Sequence, residues 1–236
     1  MEHQGPTSWL LQIPFLPHEE ALIHVNGALV VFGVILVGSI VANWLIRGRL
    51  ETYLVPSGKF DFVGLVDVTI EGLYKMIEST LGHDVDKHFA YIASIFIFIL
   101  LNNVLGLLPY AAAPTSSVNT TFALGVCTFF YYNVMGIKTH GLGGYLKHFL
   151  MGMGIFGLPI ALLESISHFI RPVSLGIRLF VNMFVDHSVV LAFHGVFAWL
   201  LPVPLLLLGL LVSMIQAFVF ATLTAVYVQM ATEHDH

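Results

Sequence analysis

Beyond Lys147 the chain carries basic charge only at Arg171 and Arg178, and acidic charge within apolar sequence only at Glu164 and Asp186. A tract so poor in charge cannot clothe a folded surface in water, and each ionised group inside it needs a reason to be there. All 236 residues share the bias, with 57% hydrophobic and 10% charged, where a soluble domain has about 45–50% and roughly 25%. Such a composition excludes a disordered chain, a nucleic-acid binder and an ordinary cytosolic enzyme, and it leaves an integral membrane protein. The net charge of −5 offers no basic footprint for nucleic acid. The single cysteine, Cys127, excludes an intramolecular disulfide.

Residues 1–24 form a polar N-terminal segment with Pro6, Pro14 and Pro17. It lacks the basic leader region of a signal peptide and reads as a retained segment. Residues 25–46 are apolar and long enough to cross a bilayer, since about 20 residues span about 30 Å. Arg47 and Arg49 follow at once, which places that end in the cytoplasm and the N-terminus outside. Over residues 60–81, Asp67, Glu71, Lys75 and Glu78 recur on one helical face, with Val63, Val66, Ile70, Leu73, Tyr74 and Ile77 opposite. This is an amphipathic helix, expected to lie in the cytoplasmic interface.

Spans over residues 89–108 and 118–137 come next, the second closed by Lys138 and Lys147. Residues 149–231 form a long hairpin that turns near Pro202 and Pro204, bringing the C-terminus to the cytoplasm. Its first limb, 149–198, exceeds one straight crossing, so it must tilt, lie partly in plane, or break at Pro159 or Pro172. The expected fold is therefore all-α and polytopic, a single membrane domain over residues 1–236. It has about five membrane-crossing helices, one interfacial helix and a long tilted C-terminal hairpin.

On a helix advancing 100° per residue, Glu164, His168, Arg171, Arg178, Asn182 and Asp186 fall within about 80° of one another. His187 and His194 share a different face. Charge at membrane depth costs about 2.5–3.5 kcal/mol per residue on insertion scales. One reading makes Glu164–Arg171 and Arg178–Asp186 structural pairs that glue helices together. The other is a polar path: carboxylates and histidine pass protons along water, while a guanidinium that never deprotonates sets a fixed barrier. The mixture of acid, histidine, amide and arginine favours the path. On the second limb Gly209, Ser213, Gln216 and Tyr227 share one face. The two small residues permit close helix approach, and Gln216 is long enough to reach Arg178.

The run Arg171-Pro-Val-Ser-Leu-Gly-Ile-Arg-Leu-Phe-Val-Asn-Met183 resembles the signature of subunit a of F-type ATP synthases. Three further pieces resemble that family in the same order: Leu107-Leu-Pro-Tyr110, Pro114-Thr-Ser-Ser-Val-Asn-Thr-Thr121, and Ile215-Gln-Ala-Phe-Val-Phe-Ala-Thr222 followed by Tyr227. The resemblance implies a proton-translocating stator beside a ring of c subunits, with two offset aqueous half-channels in a bacterial inner membrane. It implies b-type stator subunits and the rest of the F1Fo complex as partners, membrane lipid around the chain, and ATP chemistry carried out elsewhere in the complex. The family's essential arginine matches Arg178, and Glu164, Asn182 and Gln216 match positions that line the paths or support it. With His168, Asp186, His187 and Tyr227 they make up the expected proton path.

Several positions depart from the family pattern. Nine residues after the arginine the family commonly has Glu, and here Asp186 precedes His187. Its histidine on the last helix falls at Gly209, and acids before the Leu-Pro-Tyr piece are replaced around Asn102, Asn103 and Gly106. Val181 takes the place of the usual glycine before Asn-Met. Asp186 and His187 are therefore expected to serve the inlet. No cofactor or metal is expected. The alternatives are a stand-alone multi-pass transporter or channel and a membrane haem protein. The first should show repeated halves, and none is visible. The second needs histidines facing one another across two spans, whereas His168, His187 and His194 share one limb.

Overall fold

A computed structural model describes residues 22–47, 62–107, 113–149, 154–194 and 202–232. Most of the N-terminal segment, Arg49, most of the Leu-Pro-Tyr piece and the C-terminal His234 and His236 lie outside these residues. The described chain is all-α, with six helices and no strand among the described residues. They are α1 (Ile23–Arg47), α2 (Phe62–Leu81), α3 (Val85–Gly106), α4 (Val118–Phe149), α5 (Gly154–His194) and α6 (Pro202–Thr232). A 3-10 turn at Gly82–Asp84 joins α2 to α3, entered through Gly82 at φ +57°, a conformation glycine adopts without strain. A second, Pro114–Ser116, leads into α4.

Among the described residues, four helical stretches are long and apolar enough to cross a membrane: Ile23–Trp44, Val85–Gly106, Val118–Tyr145 and Pro204–Thr232. The fifth crossing expected from sequence corresponds to α5, whose 41 residues carry the charged stripe. At 1.5 Å per residue it is about 60 Å long, twice a bilayer's hydrocarbon thickness.

Helix α6 is the centre of the bundle and packs on α2, α3, α4 and α5. Its buried stripe Ala217, Phe220, Ala221, Ala225 and Val228 recurs at three- and four-residue intervals. Toward its C-terminal half it meets Leu73, Ile77 and Leu81 of α2 and Ile92 of α3. Further up, it shares a second cluster with Ile95 and Ile99 of α3 and with Leu175, Leu179 and Met183 of α5. On α2 the charged face is exposed and Lys75 bonds Glu71 at 2.6 Å, but Ile70, expected on the apolar face, is exposed as well. Helices α4 and α5 approach closely through glycine. A Cβ on Gly125 would lie 2.5 Å from the Pro172 carbonyl oxygen, and one on Gly176 would lie 3.0 Å from that of Thr121.

One helix runs differently from the sequence expectation, and another resolves a choice the sequence left open. α4 continues to Phe149 instead of ending near residue 137, bending at Gly141, where φ +71° and ψ 160° fall in a region essentially reserved for glycine. α5 passes through Pro159 and Pro172 without a break. Proline has no N–H, so Pro172 leaves the carbonyl of His168 without its helical donor. The hydroxyl of Tyr132, from α4, donates to that carbonyl over 3.4 Å. A neighbouring helix thus replaces the missing bond.

Candidate functional site

The polar residues of α5 meet different surroundings as the helix advances. In its first half, Glu164, His168 and Arg171 line a cavity of about 60 Å³ together with Tyr132 and Tyr145 of α4 and the end of α6 at Met230. His168 is buried among the rings of Phe129, Tyr132 and Phe169. Its Nε2 lies 2.9 Å from Oδ1 of Asn133, which also accepts the Tyr145 hydroxyl at 2.9 Å. Tyr145 reaches this point because the bend at Gly141 turns the end of α4 back over Gly136, where a Cβ would stand 2.5 Å from the Tyr145 ring. Arg171 lies over the ring of Tyr227, 5.5 Å from its centre, in cation–π contact.

Midway, the buried ridge Leu175, Leu179 and Met183 fastens α5 to the core. Arg178 points away from it and is exposed, beside the exposed apolar Ile177, Val181 and Val185. It makes no hydrogen bond or ion pair with another described residue, so the Arg178–Asp186 pair considered from sequence does not form. One turn on, Asn182 Nδ2 donates to Gln216 Oε1 at 2.6 Å, joining α5 to α6. Gln216, long enough to reach Arg178, has its acceptor oxygen held by Asn182.

In the last part of α5, Asp186 lies against Gly209, where a Cβ would stand 3.6 Å from Oδ2 and 2.9 Å from Leu107 Cδ2. Absence of a side chain at Gly209 leaves the carboxyl its place between the helices. Asp186 Oδ2 is buried and without a hydrogen-bond partner among the described residues, as are Asn102 Oδ1, Asn103 Nδ2, Ser213 Oγ and Gln216 Nε2. Asn103 Oδ1 accepts from Thr115 Oγ1 at 2.7 Å, which ties α3 to the 3-10 turn before α4. The backbones of His187 and His194 belong to α5; their side chains lie outside the described ones.

The stripe therefore divides into a hydrogen-bonded cluster around His168, an exposed arginine, and a region of unpartnered polar atoms around Asp186. Sequence reasoning missed Asn133, Tyr132 and Tyr145. A signal existed for Asn133, an amide in the apolar run Thr128–Val134, but nothing local shows that Gly141 returns Tyr145 to it.

Fold and site together define a polytopic α-helical membrane protein in which Glu164, His168, Arg171, Arg178 and Asp186 follow one long helix, packed against a second that carries no charge. The sequence pattern of the ATP synthase A chain family matches residues 28–229. The chain is 38% identical over 230 residues to ATP synthase subunit a of Bdellovibrio bacteriovorus, covering 97% of this chain and 99% of that one. With ATP synthase subunit a of Citrifermentans bemidjiense it shares 37% over 229 residues, 94% and 97% of the two chains. ATP synthase subunit a 3 of Pelobacter propionicus is 40% identical over 195 residues, 82% of each. The chain belongs to the ATP synthase A chain family. It is accordingly a membrane subunit of the Fo part of the F1Fo complex, in keeping with a non-catalytic role.

Proposed function

We propose that this chain is the proton-translocating stator subunit of a rotary ATP synthase, with Arg178 facing the carboxylate of a ring of c subunits. The observation that carries this reading is the exposure of Arg178 on an apolar face of α5. An uncompensated guanidinium at membrane depth costs about 2.5–3.5 kcal/mol, a cost removed when an anionic partner docks on that face. Being permanently charged, it draws the deprotonated carboxylate and blocks direct proton leakage past it.

Two half-channels end on either side of that arginine. Asp186 is eight positions beyond it and His168 ten before it, about 12 Å and 15 Å along the axis. Asp186 and His187 serve the inlet, and the unpartnered buried atoms of Asn102, Asn103, Ser213 and Gln216 support a hydrated route there, because buried polar groups are otherwise hydrogen-bonded. Asn182 and Gln216 brace the arginine's helix against α6. Glu164, His168 and Tyr227 serve the outlet, where the cavity has room for water. The domain is single over 1–236, set in a bacterial inner membrane with the N-terminus outside and the C-terminus cytoplasmic. Its partners are the c-ring, b-type stator subunits and lipid.

The test is Arg178→Ala in membranes. ATP-driven proton pumping should be abolished, while c, b and F1 subunits still co-purify with the variant. Coupled pumping that survives the substitution would refute the assignment.

A further inference from the structure

We propose that Asn133 is a positioning residue that locks His168 into one tautomer, so that the imidazole exchanges protons only through Nδ1. This rests on the placing of His168 on the outlet path.

The orientation of the Asn133 amide is fixed by chemistry. Its Nδ2 lies 2.6 Å from the carbonyl oxygen of Phe129, which can only accept. Nδ2 therefore donates there, and Oδ1 is the atom turned toward α5. The Tyr145 hydroxyl donates to one lone pair of Oδ1. His168 Nε2 is 2.9 Å from the same oxygen and must present a hydrogen to it. The neutral ring is then the Nε2–H tautomer, with Nδ1 unprotonated. An amide oxygen is far too weak a base to take the Nε2 proton. A proton arriving at the ring forms an N–H bond at Nδ1, giving imidazolium, and the same bond breaks when it leaves. His168 is thus an accept-and-return station, whose proton partners approach from one side of the ring.

The arrangement is built from several elements. Gly141 bends α4, Gly136 leaves space for the returning Tyr145 ring, and Tyr132 holds the His168 carbonyl that Pro172 releases. The two glycines bring Tyr145 onto Asn133, and the Tyr132 ring packs edge-on against the imidazole.

The experiment uses the whole ATP synthase in membranes, with histidine labelled by nitrogen-15 and the His168 signals identified by difference from His168→Gln. In the unaltered complex neutral His168 should show the Nε2–H form in about fivefold excess or more. Asn133→Leu, near-isosteric but without an acceptor, should bring the two tautomers to comparable populations. ATP-driven pumping should then fall about twofold, as the competent fraction drops to about half. Asn133→Asp, which keeps the acceptor oxygens, should restore the Nε2–H form. A leucine variant that keeps the Nε2–H excess, or an aspartate variant that assembles without restoring it, would overturn the inference. If Asn133→Leu fails to assemble with F1, Asn133→Ala, which only deletes atoms, gives the same reading. If the tautomer follows Asn133 while pumping stays unchanged, the lock is established and it is the placing of His168 on the outlet path that falls.

Discussion

Around His168 the amide, imidazole and phenol groups bond one another, whereas around Asp186 five buried polar atoms from α3, α5 and α6 make no hydrogen bond to any described residue. Both regions lie on the same helix and derive from the same stripe. The first orients its ionisable group by fixed protein contacts, as a site must when proton transfer depends on angle and tautomer. The second gathers buried donors and acceptors without a partner among the described residues, which supports the hydrated route proposed there. An unmet buried polar group costs about 1–3 kcal/mol, so such a cluster persists only where something solvates it.

The sharpest way to break this contrast is at Asp186. Replacing Asp186 and His187 together by leucine should slow proton flux about a hundredfold, the usual scale for losing an acid–base group. Changing His194 should alter it little. Equal effects in a pumping assay would show that the route does not pass Asp186.

A next step compares two glycines. Gly136→Val drives a side chain into the Tyr145 ring and within 2.9 Å of the Ala231 carbonyl oxygen. It should destabilise the subunit by about 1–3 kcal/mol, the usual cost of overpacking, seen as reduced recovery of assembled complex. Gly209→Ala meets first a Leu107 methyl and the Asp186 carboxyl, both on side chains able to shift. It should assemble normally.

Comparable in size is Asn182→Leu, which leaves the buried Gln216 without its donor. About 1–3 kcal/mol of stability should be lost, and combining it with Gln216→Leu should recover part of that in thermal unfolding. Least of all is Lys75→Ala on α2. Its ion pair with Glu71 raises the lysine pKa and lowers the carboxylate's, yet both side chains are well exposed, so no change in unfolding should be measurable.

Periodicity made much of this legible. The apolar runs gave the helices, and the common face of Glu164, His168, Arg171, Arg178, Asn182 and Asp186 gave the line along which the site lies. A helical wheel, however, gives angle and not neighbour. It set Arg178 and His168 on one face, but the first is exposed and the second is buried among the rings of Phe129, Tyr132 and Phe169. Tyr145, the second group on Asn133 Oδ1, was hidden because Gly141 joins two parts of one helix that periodicity treats as a span and its tail. Continuity through Pro172 was hidden for a related reason: the hydroxyl that replaces the lost donor is 36 residues away, measured from His168 to Tyr132.

That hydroxyl has a mechanical meaning. At the proline α5 lacks one rung of its own ladder, and the substitute rung is anchored in another helix. Bending stiffness at this point is therefore a property of the bundle. A deflection of the Arg178 half away from α4 would lengthen the Tyr132–His168 contact, so the proline segment is braced from outside its own helix. Tyr132→Phe would release that brace and turn one rod into two hinged lengths, with Arg178 on one and His168 on the other.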